Sequence, residues 1–147
     1  MREPSFVYVV YISTTPEKLW NALIDPAVTA QYWQHENVSD WKPGSRWEHR
    51  EAGKERKLKM VGKVIESVPP RRLVISWAAP ADAENEAHHS RVTFELEPMQ
   101  DVVRLTVTHD LLEPGSDMLK GITAGWPKVL SSLKTLLETG RALPRLW

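Results

Sequence analysis

Tryptophan is the residue type in this sequence that is best suited to contact a bound molecule. Seven tryptophans stand against two phenylalanines in a chain of 147 residues. An indole ring brings a large apolar surface together with one N–H donor that needs a partner when it is buried. Trp33, Trp47, Trp77 and Trp126 are therefore candidates for two roles: filling an ordinary core, or lining a mostly apolar cavity that binds a small molecule. Residue types alone leave both roles open, because a packed core and a pocket use the same side chains.

Two histidines could add a polar group to such a cavity. His49 and His109 each alternate in phase with the apolar residues of a predicted strand. Each is either a core histidine that is hydrogen-bonded to the backbone, or a group at the cavity mouth that orients a ligand or transfers a proton.

Motifs for other chemistries are missing. The five histidines show neither HxxxH nor HExxH spacing and the chain has no cysteine, so we expect no metal site. The patterns GxSxG, GxGxxG and GxxxxGK[ST] do not occur, so the sequence predicts neither a nucleophilic serine nor a bound cofactor. We therefore assign no catalytic residue, and the residues favour a binding module over an enzyme.

The length and charge of the chain narrow the class of protein. A chain of 147 residues suits one domain, which we expect to span residues 1–147. Nineteen basic and nineteen acidic residues cancel, which argues against binding to nucleic acid or to an anionic membrane. The lack of cysteine favours a reducing cytoplasm. The start of the chain shows no targeting segment, since the apolar run at residues 6–12 is too short to span a bilayer.

The first half of the chain predicts a strand, two short helices and then a sheet. Residues 6–12 form a strand that is apolar on both faces, so the face carrying Val7, Val9 and Tyr11 is either covered or contacts another molecule. Thr15-Pro16 and Asp25-Pro26 each predict a helix start, and the second helix runs through residues 32–33. Residues 34–45 are polar and are interpreted as a turn-rich segment. Strands follow from residue 46 to residue 77, with a candidate bulge at Gly62.

The second half predicts a hairpin and a long helix. Residues 78–89 are interpreted as a solvated acidic loop. Alternation over residues 91–97 and 103–109 predicts two antiparallel strands, in which Phe94 and Leu105 face the core. An apolar stripe then predicts a helix that ends at Gly140 and includes Leu130. Pro127 is expected to kink or restart this helix, and Gly121 and Gly125 to let its backbone approach neighbouring elements.

This order of elements predicts an α+β fold, in which a curved antiparallel sheet of six or seven strands wraps around one long carboxy-terminal helix. Its motifs resemble those of the START-like (SRPBCC, Bet v 1-like) superfamily, whose members share this helix-grip fold. Within it the chain is similar to bacterial homologues of the C-terminal domain of the activator of Hsp90 ATPase. The resemblance rests on STTPEKLWNAL at residues 13–23, GKVIE at 62–66, PPRRL at 69–73, SW at 76–77, VTHD at 107–110, GWPKVL at 125–130 and LK at 133–134.

In a helix-grip fold these residues surround the space between the sheet and the long helix. The resemblance therefore implies a ligand cavity lined by Trp33, Trp47, His49, Trp77, Phe94, Leu105, His109, Trp126 and Leu130. It leaves three functions open: binding of a small hydrophobic or aromatic molecule, which we favour; a cyclase-, aromatase- or hydratase-type enzyme using a cavity histidine; and a protein-interaction module. The last would act as a homodimer or on an Hsp90-type chaperone. Fold alone does not choose among them.

Overall fold

The computed structural model describes residues 4–147; residues 1–3, part of the expected domain, lie outside the described residues. These described residues contain seven strands: β1 (Phe6–Ile12), β2 (His35–Val38), β3 (Arg46–Glu51), β4 (Leu58–Val68), β5 (Arg72–Trp77), β6 (Ser90–Met99) and β7 (Val102–Asp110). Its α-helices are α1 (Pro16–Ile24), α2 (Pro26–Trp33) and α3 (Asp117–Thr139). The strands form one curled antiparallel sheet in the order β1-β7-β6-β5-β4-β3-β2, which confirms the predicted helix-grip fold.

Local sequence explains where the helices begin and end. The Thr15 hydroxyl accepts a hydrogen bond from the Lys18 amide at 3.2 Å and caps α1. Asp25 ends α1 and then caps α2 by accepting from the Ala27 amide at 2.9 Å. Ser116 caps α3, and Gly140 ends it in the left-handed conformation, with φ of 81°.

The core lies between the sheet and α3. The helix buries the predicted stripe against the inward-facing residues of β6 and β7, which alternate as expected. α3 is continuous through Pro127, so the helix does not restart there. Buried side chains on both sides of the proline, Trp126 and Val129, hold the two halves against the same core.

Two local interpretations from the sequence are wrong. Residues 34–45 contain an edge strand of the sheet, β2, whose inward-facing residues are His35 and Asn37 rather than apolar side chains. Gly62 is not at a bulge, since the register shifts lie at His49/Arg50 and Val64/Glu66.

Gly62 instead permits a close crossing of side chain and backbone. The Trp47 indole N–H passes over this glycine and donates to the Ser76 carbonyl at 2.7 Å. A Cβ on Gly62 would lie 1.9 Å from that carbonyl oxygen. The absence of a side chain at Gly62 therefore allows the buried hydrogen bond of Trp47.

Residues 78–89 are mostly exposed, as expected of a solvated loop, but they form two short 3-10 turns, Pro80–Asp82 and Glu86–His88. His89 at the end of this segment is buried. Its ring contacts the Ser76 hydroxyl at 3.0 Å and the Asp82 carbonyl at 2.9 Å. The loop is therefore fastened to the sheet by a histidine.

Candidate functional site

A pocket of about 290 Å³ lies between α3 and the sheet. On one side it is lined by Trp33 at the end of α2, His49 on β3, Met60 on β4 and Trp77 at the end of β5. β3 and β4 are paired with His49 opposite Met60, so the two side chains enter the pocket from neighbouring strands. The sheet therefore supplies two tryptophans, an imidazole and a thioether to one wall.

The opposite wall is one face of α3. Its residues recur at helical spacing and are Gly121, Ile122, Gly125, Trp126 and Val129. An added Cβ at Gly121 or Gly125 would meet no other atom within 4 Å, so the expectation that these glycines allow close helix packing is wrong. Glycine disfavours a helix relative to alanine, and here the two glycines leave space inside the pocket instead of admitting a neighbour.

The mouth of the pocket is formed by the start of α3 and by the segment after its end. Asp117 and Met118 line one side and Trp147 the other. The Trp147 indole N–H donates to the Trp33 carbonyl at 3.2 Å, and the Leu143 amide donates to the Ser132 hydroxyl at 3.3 Å. These two bonds hold the segment across the pocket, so Trp147 forms part of its wall.

Three tryptophans of the lining contact one another. The ring centroids are 5.4 Å apart for Trp33 and Trp126, 5.6 Å for Trp77 and Trp126, and 6.3 Å for Trp33 and Trp77. These separations are typical of favourable aromatic pairs. The pocket therefore offers a continuous aromatic surface to a guest.

One buried donor in this cluster has no partner. The indole Nε1 of Trp77 is buried and makes no hydrogen bond; within residues 4–147 the only other such side-chain atom is Gln34 Oε1. A buried unpaired donor costs about 1–3 kcal/mol of stability. The ring of Trp77 lines the pocket, but this nitrogen is enclosed by protein atoms.

His49 is the most polar buried group of the lining. Its Nδ1 contacts Asn37 Oδ1 at 2.5 Å, and its ring stacks on His35 with centroids 4.4 Å apart. Burial lowers the pKa of His49 well below its ordinary value, and the neighbouring His35 and Lys59 act in the same direction. His49 is therefore neutral at pH 7. With Nδ1 donating to the amide oxygen, Nε2 is left as an acceptor without a partner in the described part of the chain.

His109 lies outside the pocket lining in a chain of hydrogen bonds. The Trp126 indole N–H donates to His109 Nδ1 at 3.0 Å, so the proton of the neutral ring is on Nε2. Nε2–H donates to the Ser90 hydroxyl at 2.7 Å, which in turn donates to the Trp77 carbonyl at 3.1 Å. Burial lowers the pKa of His109 to about 4. Since Nε2 carries the proton, His109 cannot act as a base toward Ser90.

The structure brings four of the nine predicted site residues to the pocket: Trp33, His49, Trp77 and Trp126. The other five are buried beyond its lining: Trp47, Phe94, Leu105, His109 and Leu130. Eight further lining residues were not predicted as site residues: Met60, Asp117, Met118, Gly121, Ile122, Gly125, Val129 and Trp147. The glycines carried a signal, since they recur on the same helical face as Trp126. Trp147 follows the predicted helix stop and carried none.

Within residues 4–147 no group of three or more histidine, aspartate or glutamate side chains is placed to hold a metal ion. No helix in that range is long and apolar enough to cross a membrane.

The fold and the position of the pocket place the chain in the START-like class of helix-grip proteins. The profile of the family described as "Activator of Hsp90 ATPase homolog 1-like protein" matches residues 13–138. The chain therefore belongs to this family, which confirms the resemblance found in its motifs.

Several solved structures share this fold. The solution structure of the Aha1 dimer from Colwellia psychrerythraea has a TM-score of 0.78 at 21% identity, covering 95% of this chain and 99% of that one. Protein MLL2253 from Mesorhizobium loti has a TM-score of 0.75 at 25% identity, covering 91% and 96%. PFC0360w, an Hsp90 activator from Plasmodium falciparum, has a TM-score of 0.74 at 23% identity, covering 90% and 95%. Among curated proteins, none matches the sequence.

Proposed function

We propose that the chain binds a small hydrophobic or aromatic molecule in the pocket between the sheet and α3. The observation that carries this proposal is the pocket itself: about 290 Å³ of space walled by three tryptophans in mutual contact. The pocket opens to solvent at its mouth, so an apolar guest that enters it would remove this aromatic surface from water.

The dimensions limit the ligand. An apolar cavity of about 150 Å³ is enough to bind benzene, and ligand pockets start at about 300 Å³. The pocket therefore suits a molecule of two or three rings rather than a long lipid. Such a ligand would lie against the aromatic surface that Trp33, Trp77 and Trp126 form together.

A titration with the neutral fluorescent dye N-phenyl-1-naphthylamine tests the proposal. We expect a saturable rise in dye emission with one site per chain, because the dye passes from water to an aromatic pocket. A leucine at position 125 would project into the space that the glycine leaves, so Gly125→Leu should abolish the rise. The matched control is Ala124→Leu, which adds a side chain of the same size at the neighbouring exposed position of α3.

Retained binding in Gly125→Leu would place the dye elsewhere and overturn the proposal. The absence of saturable binding to the native chain would do the same. A thermal unfolding curve for each variant shows that the helix has formed, since both substitutions are compatible with a helix.

A protein-interaction role is a second candidate, favoured by the family and by one exposed face. Three alternate residues on the outer face of β1 are large, apolar and exposed: Val7 (57%), Val9 (46%) and Tyr11 (48%). A contiguous exposed apolar face of this kind is typical of an interaction surface. The two relatives described as a dimer and as an Hsp90 activator give this face two candidate partners, a second copy of the chain and an Hsp90-type chaperone. Such a role would operate in the cytoplasm, the location that the lack of cysteine favours.

The chaperone role is tested by adding the purified chain to an Hsp90-type chaperone and measuring ATP hydrolysis. We expect stimulation that Val9→Lys weakens, because a charge would disrupt the apolar face. An unchanged rate at saturating concentration would rule out this partner. The dye titration and the ATPase assay are independent, so either function can fail alone.

A further inference from the structure

The charges around the pocket limit what the ligand can carry. Asp117, at the exposed mouth, is the only ionisable lining residue besides His49, and neither lysine nor arginine lines the pocket. Burying a carboxylate without a cationic partner is costly. A ligand with an acidic group would therefore lose its hydration without a lysine or arginine in the lining to pair with it, since Lys59 acts on His49 from outside the lining.

The accepting nitrogen of His49 favours a ligand that carries a hydroxyl group. Within residues 4–147, His49 Nε2 is an acceptor without a donor. The Trp77 indole lies beside this imidazole, with ring centroids 5.9 Å apart, but its Nε1 is enclosed by protein atoms and does not reach the pocket. A hydroxyl both donates and accepts, whereas an ether only accepts.

We infer that the ligand is an uncharged aromatic alcohol or phenol, whose ring system lies against Trp126 and the glycine face of α3 while its hydroxyl donates to His49 Nε2. This inference rests on the proposed function and adds the chemical class of the ligand.

Four probes of nearly equal size separate the contributions in calorimetric titrations at pH 7. They are 2-naphthol, 2-methoxynaphthalene, naphthalene and 2-naphthoate. A hydrogen bond to a neutral group contributes enough to change affinity several-fold, so we expect 2-naphthol to bind roughly fivefold more tightly than naphthalene. Because 2-methoxynaphthalene cannot donate, it should bind more weakly than 2-naphthol, and 2-naphthoate should bind at least tenfold more weakly.

A variant then assigns the preference to one residue. His49→Phe keeps an aromatic ring and removes the acceptor, so it should bind 2-naphthol and naphthalene equally. His35→Phe is the matched control: it replaces the buried imidazole stacked on His49, but His35 does not line the pocket, so the fivefold preference should remain. The comparison of probes on the native chain does not depend on whether either variant folds.

The outcomes separate this inference from the proposed function. Equal affinities of naphthalene and 2-naphthol would overturn the hydroxyl assignment and leave the aromatic pocket standing. Equal affinities of 2-methoxynaphthalene and 2-naphthol would overturn the role of His49 as the acceptor. Tighter binding of 2-naphthoate would overturn the exclusion of acids. If none of the four binds, both the inference and the proposed function are wrong.

Discussion

Trp126 donates its indole proton to His109 Nδ1, and this one bond sets the protonation state of a histidine at the centre of the protein. Because the indole can only donate, the ring nitrogen that receives it must be unprotonated. Protonation of His109 would break the bond and place an unpaired charge in a fully buried position. The pocket helix is therefore joined to β7 by a contact that depends on pH.

The first prediction concerns stability in acid. The pKa of His109 is lowered from 6.5 to about 4 by burial, so the unfolded chain takes up this proton first as the pH falls. The contribution is complete above pH 6.5 and is lost between pH 6.5 and pH 4. At about 1.4 kcal/mol per pH unit the loss reaches about 3 kcal/mol. Urea unfolding at a series of pH values measures it.

Two variants isolate His109 from the other titrating groups in that range. His109→Gln should flatten the dependence of the free energy of unfolding on pH by about one proton. His88→Gln, at an exposed position, should leave the slope unchanged. If the slope of His109→Gln matches that of the native chain, the histidine is not held neutral by its surroundings.

The second prediction contrasts two glycines. Gly62→Ala should destabilise the protein by roughly 2–4 kcal/mol, because the new Cβ would collide with the Ser76 carbonyl and the Trp47 indole. Gly121→Ala should stabilise it by about 0.5–1 kcal/mol, since alanine favours a helix and its Cβ meets no atom. Chemical denaturation of both variants checks this pair. Opposite signs from those stated would mean that Gly121 packs against a neighbour and Gly62 does not.

The sequence predicts the direction in which a side chain points more reliably than the depth at which it is buried. Alternation correctly placed Phe94 and Leu105 inward, and helical spacing placed Trp126 and Leu130 on the buried side of α3. Only Trp126 of these reaches the pocket, whereas Phe94, Leu105 and Leu130 are buried beyond its lining. β2 escaped detection because its inward positions hold His35 and Asn37, which satisfy their polar groups through Trp33, His49 and Thr29 and so mimic a solvated turn.

The third prediction concerns Trp147. This side chain forms part of the pocket wall and is attached to Trp33 by one hydrogen bond. Trp147→Ala should weaken binding of N-phenyl-1-naphthylamine roughly three- to tenfold, because the ligand loses one aromatic contact. The change should lie mainly in the dissociation rate, measured by stopped-flow fluorescence. An unchanged dissociation rate would show that Trp147 does not cover the ligand.

The fourth prediction concerns the free edge of the sheet. β1 pairs only with β7 in the described chain, and the outer face of β1 is apolar. If two copies pair through this strand, Val9→Lys should convert a dimer to a monomer, since a lysine on an edge strand opposes pairing. Light scattering after size-exclusion chromatography measures the mass. A native chain that is monomeric at all concentrations would contradict the dimer.

The most direct test of the pocket uses the indole N–H signals of the seven tryptophans as reporters in ¹⁵N-labelled protein. Trp33, Trp77, Trp126 and Trp147 line the pocket, whereas Trp20, Trp41 and Trp47 do not. On titration with 2-naphthol we expect saturable shifts confined to the first four signals. Shifts of the other three alone, equal shifts of all seven, or no shift at saturating ligand would contradict it.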